Sequence, residues 1–172
     1  MSKLPSKLLL FNLFLQGYGF GGEGKNAKLP SIKFLTEKFS GGGMAGSVNW
    51  RTGQVDDLKL EYTIGGLTVQ GIRAMGATAI DGVQLRFVGA YQRPDTGDTA
   101  QAEVVVRGQQ NEWDPGDVEN GKDTEHKFTI DVVYYKLIVD GRDEIEIDIL
   151  NGLVIIDGKN QFEKLRSLAG YA

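Results

Sequence analysis

KFTIDVVYYKLIVDGRDEIEIDIL, residues 127–150, carries the clearest supersecondary signal in this 172-residue chain. Two apolar-rich runs, Lys127 to Val139 and Glu144 to Leu150, are joined through Asp140-Gly141. A two-residue hairpin connection needs positive φ, which glycine supplies without steric cost, so Asp-Gly between such runs predicts an antiparallel pair. In the second run Ile145, Ile147 and Ile149 alternate strictly with Glu144, Glu146 and Asp148. Period two turns the isoleucines toward a core and the three acids toward the opposite face.

The same texture extends outward. Downstream, Asn151-Gly152 begins a strand over Leu153 to Ile156 and Asp157-Gly158 ends it. Gln161 to Leu168 then places Phe162, Leu165 and Leu168 at helical spacing before Gly170, predicting a short amphipathic helix. Upstream, Val83 to Tyr91 and Ala100 to Arg107 bracket the turn composition Pro94-Asp95-Thr96-Gly97-Asp98, and the polar stretch from Gly108 to Glu125 reads as a loop. Leu58, Leu60, Tyr62 and Ile64 alternate with Lys59, Glu61 and Thr63, and Thr52-Gly53-Gln54 reads as the turn that separates this strand from Val48 to Arg51. Ser31 to Phe39 and residues 8–16 are further strand candidates. Thr68 to Met75, with Thr68 as N-cap and Gly76 as C-cap, predicts a second short helix. Eight to ten strands and two helices define a mainly β (α+β) chain, an antiparallel sandwich or barrel-like subunit. No Pro/Ser linker divides it, so residues 1–172 are expected to form one domain, and so many strands in so small a domain leave edges that another copy can pair.

Composition narrows the function. Hydrophobic residues at 41% and charged residues at 24% suit a folded domain. No run reaches the ~20 apolar residues of a spanning helix, so no membrane insertion is expected. The opening Leu8 to Leu15, interrupted by Asn12 and followed by no small-residue cleavage site, imitates a secretory signal poorly and reads as a buried strand or packed arm. The absence of cysteine excludes disulfides, thiolate metal sites and a thiol nucleophile, and a single histidine, His126, excludes a multi-histidine metal site. The net charge of -4 is unevenly placed: residues 1–60 carry eight Lys/Arg against four Asp/Glu, residues 61–172 eleven against nineteen. Faces of opposite sign favour association in a fixed register, and an acidic chain is no nucleic-acid clamp.

Catalytic constellations are weak. Asp114, Asp117, Glu119 and Asp123 put four carboxylates within ten residues, yet no register meets the calcium-loop spacing, and a solvated turn explains them. Glu144, Glu146 and Asp148 lack a partner carboxylate across a cleft. His126 reads as the start of a strand, and no G-x-S-x-G elbow accompanies it. The glycine-rich Gly17 to Gly24 lacks the helix and Lys-Ser/Thr of a phosphate loop. No catalytic residue, cofactor or metal is expected. More informative is Ser40-Gly41-Gly42-Gly43-Met44-Ala45-Gly46, which offers a backbone-rich surface for close approach to another subunit, with Val48 and Trp50 as anchors.

Taken in order, several stretches resemble the major tail tube protein of contractile-tailed phages of the P2 type and the related R-type pyocins. They are Leu10-Phe11-Asn12-Leu13-Phe14 with Gly17; Leu29-Pro30 through Phe39-Ser40 to Gly41-Gly42-Gly43-Met44; Asp114-Pro115-Gly116-Asp117; Val133-Tyr134-Tyr135-Lys136-Leu137; Asp140-Gly141-Arg142; Glu146-Ile147-Asp148; Asn151-Gly152; and Asp157-Gly158. The resemblance implies a subunit of the virion tail, or of a tail-like particle, made in the host bacterial cytoplasm. It assembles six to a ring by sheet continuation, with an N-terminal arm over about residues 1–17. The rings stack into a hollow tube inside a contractile sheath for passage of DNA or the tape-measure protein. By resemblance, residues 40–54 with Gly41, Gly42, Gly43 and Met44 reach a neighbouring subunit or ring; adding Trp50 to that contact extends the reading. Implied partners are the subunit itself, the sheath protein, the tape-measure protein, the baseplate initiator, the tail terminator and transiently passing DNA. Glu144, Glu146 and Asp148 are candidates for an acidic lumen or a sheath-facing patch. Two other readings remain open at this point: a carbohydrate-type binding module using Trp50, Trp113 or Tyr18, and a tube protein of a type VI secretion-like machine.

Overall fold

The structure, a computed structural model, describes residues 3–171. Its elements in chain order are β1 (Lys7–Leu15), β2 (Tyr18–Gly19), β3 (Gly24–Lys28), β4 (Phe34–Phe39), β5 (Val48–Val55), β6 (Leu58–Gly65), α1 (Val69–Ala74), β7 (Val83–Gln92), β8 (Thr99–Asp114), β9 (Glu125–Val139), β10 (Arg142–Asp148), β11 (Leu153–Ile156), β12 (Lys159–Asn160) and α2 (Glu163–Leu168). Met1 and Ser2 of the expected N-terminal arm, and Ala172, lie outside the described residues; within the arm, Lys7–Leu15 form β1.

Ten strands form one sheet in the order β12-β11-β10-β9-β8-β7-β1-β2, with β6 on β9 and β3 on β6, while β4 and β5 form a separate ribbon. The Asp140-Gly141 turn is as expected, with φ of 50° and 80° at its two residues. The sheet divides at Val133. Before it, Glu125 to Val132 of β9 pair with β6; after it, Tyr134 to Val139 pair with β10. β8 follows β9 from Ala102 to Asp114, with register shifts between Arg107 and Gly108 and between Gln110 and Glu112. β8 and β9 therefore belong to two wings at once, β3-β6 on one side and β7-β1 with β10-β11 on the other. Bulges of this kind bend a strand and increase its twist, so the long pair curls instead of lying flat.

The apolar faces of both wings meet in one core. Leu60, Tyr62 and Ile64 of β6, Val83 and Leu85 of β7, Val106 of β8, Phe128 and Ile130 of β9 and Ile147 of β10 are fully buried there, joined by Leu13 and Leu15 of β1. Each such side chain contributes about 1.5–3 kcal/mol by leaving water. Tyr62 stacks on Phe128 with ring centroids 5.1 Å apart, and its hydroxyl donates to Gln110 Oε1 at 2.6 Å. Gln110 Nε2 in turn donates to the Gly71 carbonyl at 2.6 Å, tying α1 to the core.

Four expectations need correction. β8 continues to Asp114, through residues whose polar composition predicted a loop: its outer face is wet, and the buried Gln110 is satisfied by Tyr62 and Gly71. Thr52-Gly53-Gln54 lie inside β5, where a register irregularity absorbs them, and the chain turns at Asp56-Asp57 instead. The C-cap of α1 is Met75, one residue before the expected Gly76, while Thr68 holds the N-cap as expected, without a side-chain capping bond. In α2 only Phe162, just before the helix, packs on the core, whereas Leu165 and Leu168 are exposed.

Gly108 sits where β8 bends against β9, and a Cβ there would collide with the Asp131 carbonyl oxygen. Because that contact is backbone on backbone, Gly108→Ala is expected to destabilise the chain by about 3 kcal/mol or more in urea denaturation. A loss below about 1 kcal/mol would show that the bend has room to relax.

Candidate assembly surfaces

The β4–β5 ribbon stands apart from the sheet. Its register pairs Glu37 with Trp50 and Phe39 with Val48, so Leu35, Glu37, Phe39, Val48 and Trp50 share one face. Thr36, Lys38, Asn49 and Arg51 occupy the other, where the Arg51 guanidinium lies 4.0 Å over the Phe34 ring. The first face is apolar but uncovered: Trp50 is 68% exposed, Phe39 55%, Val48 46% and Leu35 38%. An isolated two-stranded ribbon is marginal in water. This one is anchored at its root by Phe34 and Val55, which pack on the core.

At the tip, the Met44 N–H donates to the Gly41 carbonyl at 3.3 Å, closing a turn in which Gly43 has φ of 83°. That value at the third turn position favours glycine. Met44 Sδ accepts from the Gly41 N–H at 3.3 Å, and a Cβ at Gly42 would meet nothing within 4 Å. Gly41, Gly42, Gly43, Met44 and Trp50 thus belong to one projecting structure. Leu35 and Phe39 join them, a contribution that the two-residue period over Leu35, Glu37 and Phe39 could have revealed.

A second surface is the outer face of the β1-β7-β8-β9-β10 wing. Register places Asn12 and Phe14, Arg86 and Val88, Glu103 and Arg107, Tyr134 and Lys136, and Glu146 and Asp148 side by side there. The face grades from apolar at β1 to charged at β10. Two acids have cation partners: Arg86 pairs with Glu103, and Lys136 Nζ lies 3.3 Å from Asp143 Oδ2. A bulge between Asp143 and Ile145 breaks the alternation expected for β10, leaving Glu144 as the extra residue, 3.8 Å from Arg142 Nε. Glu146 accepts from the Tyr134 hydroxyl at 2.9 Å, and Asp148 accepts from the Asn151 N–H at 3.2 Å and its Nδ2 at 2.7 Å. The three acids therefore have three different environments.

No chemistry assembles around the remaining candidates. His126, second in β9, is buried, and its Nδ1 accepts from Trp113 Nε1 at 3.0 Å with the rings stacked. Asp114 accepts from the Gly116 N–H at 2.9 Å, shaping the loop that follows β8. Among the described residues no group of three or more His, Asp or Glu is placed to hold a metal. Trp50, Trp113 and Tyr18 lie on three separate elements, with Trp113 committed to His126 and Tyr18 packed edge-on against Phe20. The second edge of β1 has no strand partner from Lys7 to Leu13 among the described residues.

The described residues thus form a β subunit with an uncovered apolar ribbon and an open strand edge. The sequence matches the phage tail tube protein FII family over residues 5–170, and the chain belongs to that family. It is 40% identical over 169 residues to the tail tube protein of Escherichia phage P2, covering 97% of this chain and 98% of that one. Identity to the major tail tube protein of Serratia phage KSP20 is 38% over 160 residues, 92% of each chain. Among solved structures, the fold resembles the sheath/tube terminator of the extracellular contractile injection system PVC in its extended state. That match has a TM-score of 0.58 at 9% identity, over 81% of this chain and 99% of that one. A chain of the sixfold-symmetrised anti-feeding prophage baseplate matches with a TM-score of 0.53 at 10% identity, over 80% and 94%. At such identities the likeness is one of fold. The chain is accordingly a structural tail tube protein, a component of the virion tail, and no enzyme.

Tyr134 offers a probe of the charged face. Burial, then the hydrogen bond to Glu146 and that carboxylate's charge, push its phenol up to about 12 from the ordinary 10.0, against the opposing pull of Arg107. An unfolded chain ionises this tyrosine first, so its stabilising contribution is complete below pH 10 and is lost as pH rises toward 12. Tyr134→Phe should flatten the fall in urea midpoint between pH 9 and 11.5 relative to the parent; identical slopes would show that the folded phenol ionises normally.

Proposed function

We propose that this chain builds the conduit of a contractile tail, six copies to a ring and rings stacked into a hollow tube within the sheath, through which DNA or the tape-measure protein passes. The observation that carries this reading is the ribbon, whose apolar face is left in water by its own chain in a member of a tail tube family. Such a face is stable only when something covers it, and a tube supplies identical neighbours. The open edge of β1 and the short β11–β12 edge at the other end of the sheet allow neighbours to continue the sheet around the ring. The whole chain, residues 1–172, acts as one tube domain, with the N-terminal segment as an arm and residues 40–54 as the inter-subunit element. Gly41, Gly42, Gly43, Met44 and Trp50 form that contact. The sixfold baseplate and the sheath/tube terminator that share the fold support a hexameric ring, and a sheath, baseplate and terminator as partners.

Glu144, Glu146 and Asp148 line the bore together with Arg107 and Lys136. A wall on which acids already have partners gives a phosphate chain no net positive surface to bind, so a polyanion slides without adhering. A reconstruction of the assembled tube with these side chains in a subunit interface would overturn that placement.

Purified chain examined by negative-stain microscopy is expected to form rings or long tubes; strictly monodisperse monomers at high concentration would refute the assembly. Trp50→Ala should raise the concentration at which tubes appear about 30-fold, as loss of a contact hot spot does, with the urea midpoint of the free subunit unchanged. Gly42→Ala, which meets open space in the subunit, should likewise leave folding within about 0.5 kcal/mol of the parent and weaken assembly; unimpaired tubes would remove the glycine loop from the contact.

A further inference from the structure

The ribbon's apolar face carries one charge, Glu37, directly opposite Trp50. Elsewhere on the same chain a surface has the complementary character. At the apolar end of the outer sheet face a groove of about 800 Å³ runs along β1 and β7, where Leu10, Phe14, Val88 and Ala90 line it together with Arg86 and Asp140. Leu10 is 73% exposed, although it is paired with Ala90 of β7. Arg86 gives its Nε to Glu103, and its side chain remains 42% exposed. The two terminal nitrogens of a guanidinium suit a second carboxylate in the forked geometry that arginine favours.

We infer that this groove is the seat of the ribbon from a second copy of the chain, with Trp50 and Phe39 entering beside Leu10 and Val88 and Glu37 meeting Arg86. The inference rests on the tube reading above and names the surface that receives the ribbon. Two aromatic side chains bring about 150–250 Å² each. With Leu35 and Val48 they supply roughly half of the ~800 Å² that each partner of a specific interface buries. Glu37 is the one charge on the ribbon face, and displacement from Arg86 would leave it desolvated and unpaired, which fixes the register.

Ribbon and groove lie at different ends of the sheet order. The ribbon root packs beside β10 and β11, where Val55 adjoins Ile147, Val154 and Phe162, whereas the groove belongs to β7 and β1. Two unlike patches on one chain make a head-to-tail contact, which propagates from copy to copy without exhausting itself in a dimer. The assembly is therefore polar, with unfilled grooves at one end and unseated ribbons at the other.

Because the chain has no cysteine, crosslinks report only introduced pairs. A chain carrying both Trp50→Cys and Val88→Cys, assembled and treated with oxidant or a short bismaleimide, should run on a denaturing gel as a ladder of multimers. Either single variant should give no ladder. Val48→Cys with Leu10→Cys tests the same contact if loss of Trp50 blocks assembly. Glu37→Arg should raise the assembly threshold tenfold or more. Tubes that form from the double variants yet remain monomeric on the gel, or a threshold unmoved by Glu37→Arg, would overturn the groove and leave the tube reading intact. A parent chain that forms neither rings nor tubes would overturn both.

Discussion

The close approach of β8 to β9 at Gly108 is the constraint on which the architecture depends. With the Asp131 carbonyl oxygen where a side chain would begin, the two strands stay paired through a bend that no other residue type fits. Next to that point, at Val133, β9 changes neighbours from β6 to β10. One long antiparallel pair thereby holds both wings, and the apolar faces of β6, β7 and β10 converge on a common core without any disulfide. The buried chain from Tyr62 through Gln110 to Gly71 then fixes α1 over the same bend.

With the interior closed by that device, what remains outside is unevenly finished. The charged end of the outer face is internally paired, through Arg86 with Glu103, Lys136 with Asp143 and Tyr134 with Glu146. The ribbon face, the β1 end and the outer side of α2 are not: Trp50, Leu10, Leu165 and Leu168 are all more than half exposed. A fold that satisfies its polar groups locally and leaves apolar ones uncovered is complete as a subunit and incomplete as an object in water.

Much of this was legible in the sequence where a single local rule decides. Asp140-Gly141 admits few conformations, and the alternation from Leu58 to Ile64 has one sensible orientation, so both elements fell where expected. The stretch from Gln109 to Asp114 was not legible as strand. Its pairing partners are supplied by β9, and the burial of Gln110 depends on a hydroxyl 48 residues away. Glu144 sits at a bulge, which an unbroken alternation of isoleucine and acid does not announce. The ribbon illustrates a deeper limit. Leu35 and Phe39 share a face with Glu37, and periodicity alone does not distinguish a face buried by its own chain from one left exposed.

The irregular start of β1 has one more consequence. An exposed strand edge flanked by three consecutive leucines is a general template for unwanted cross-strand addition. The register shift between Leu8 and Leu10 interrupts that template, so a flat foreign strand finds no continuous ladder to extend. The same irregularity thereby makes the exposed edge of β1 a poor start for amyloid-like stacking.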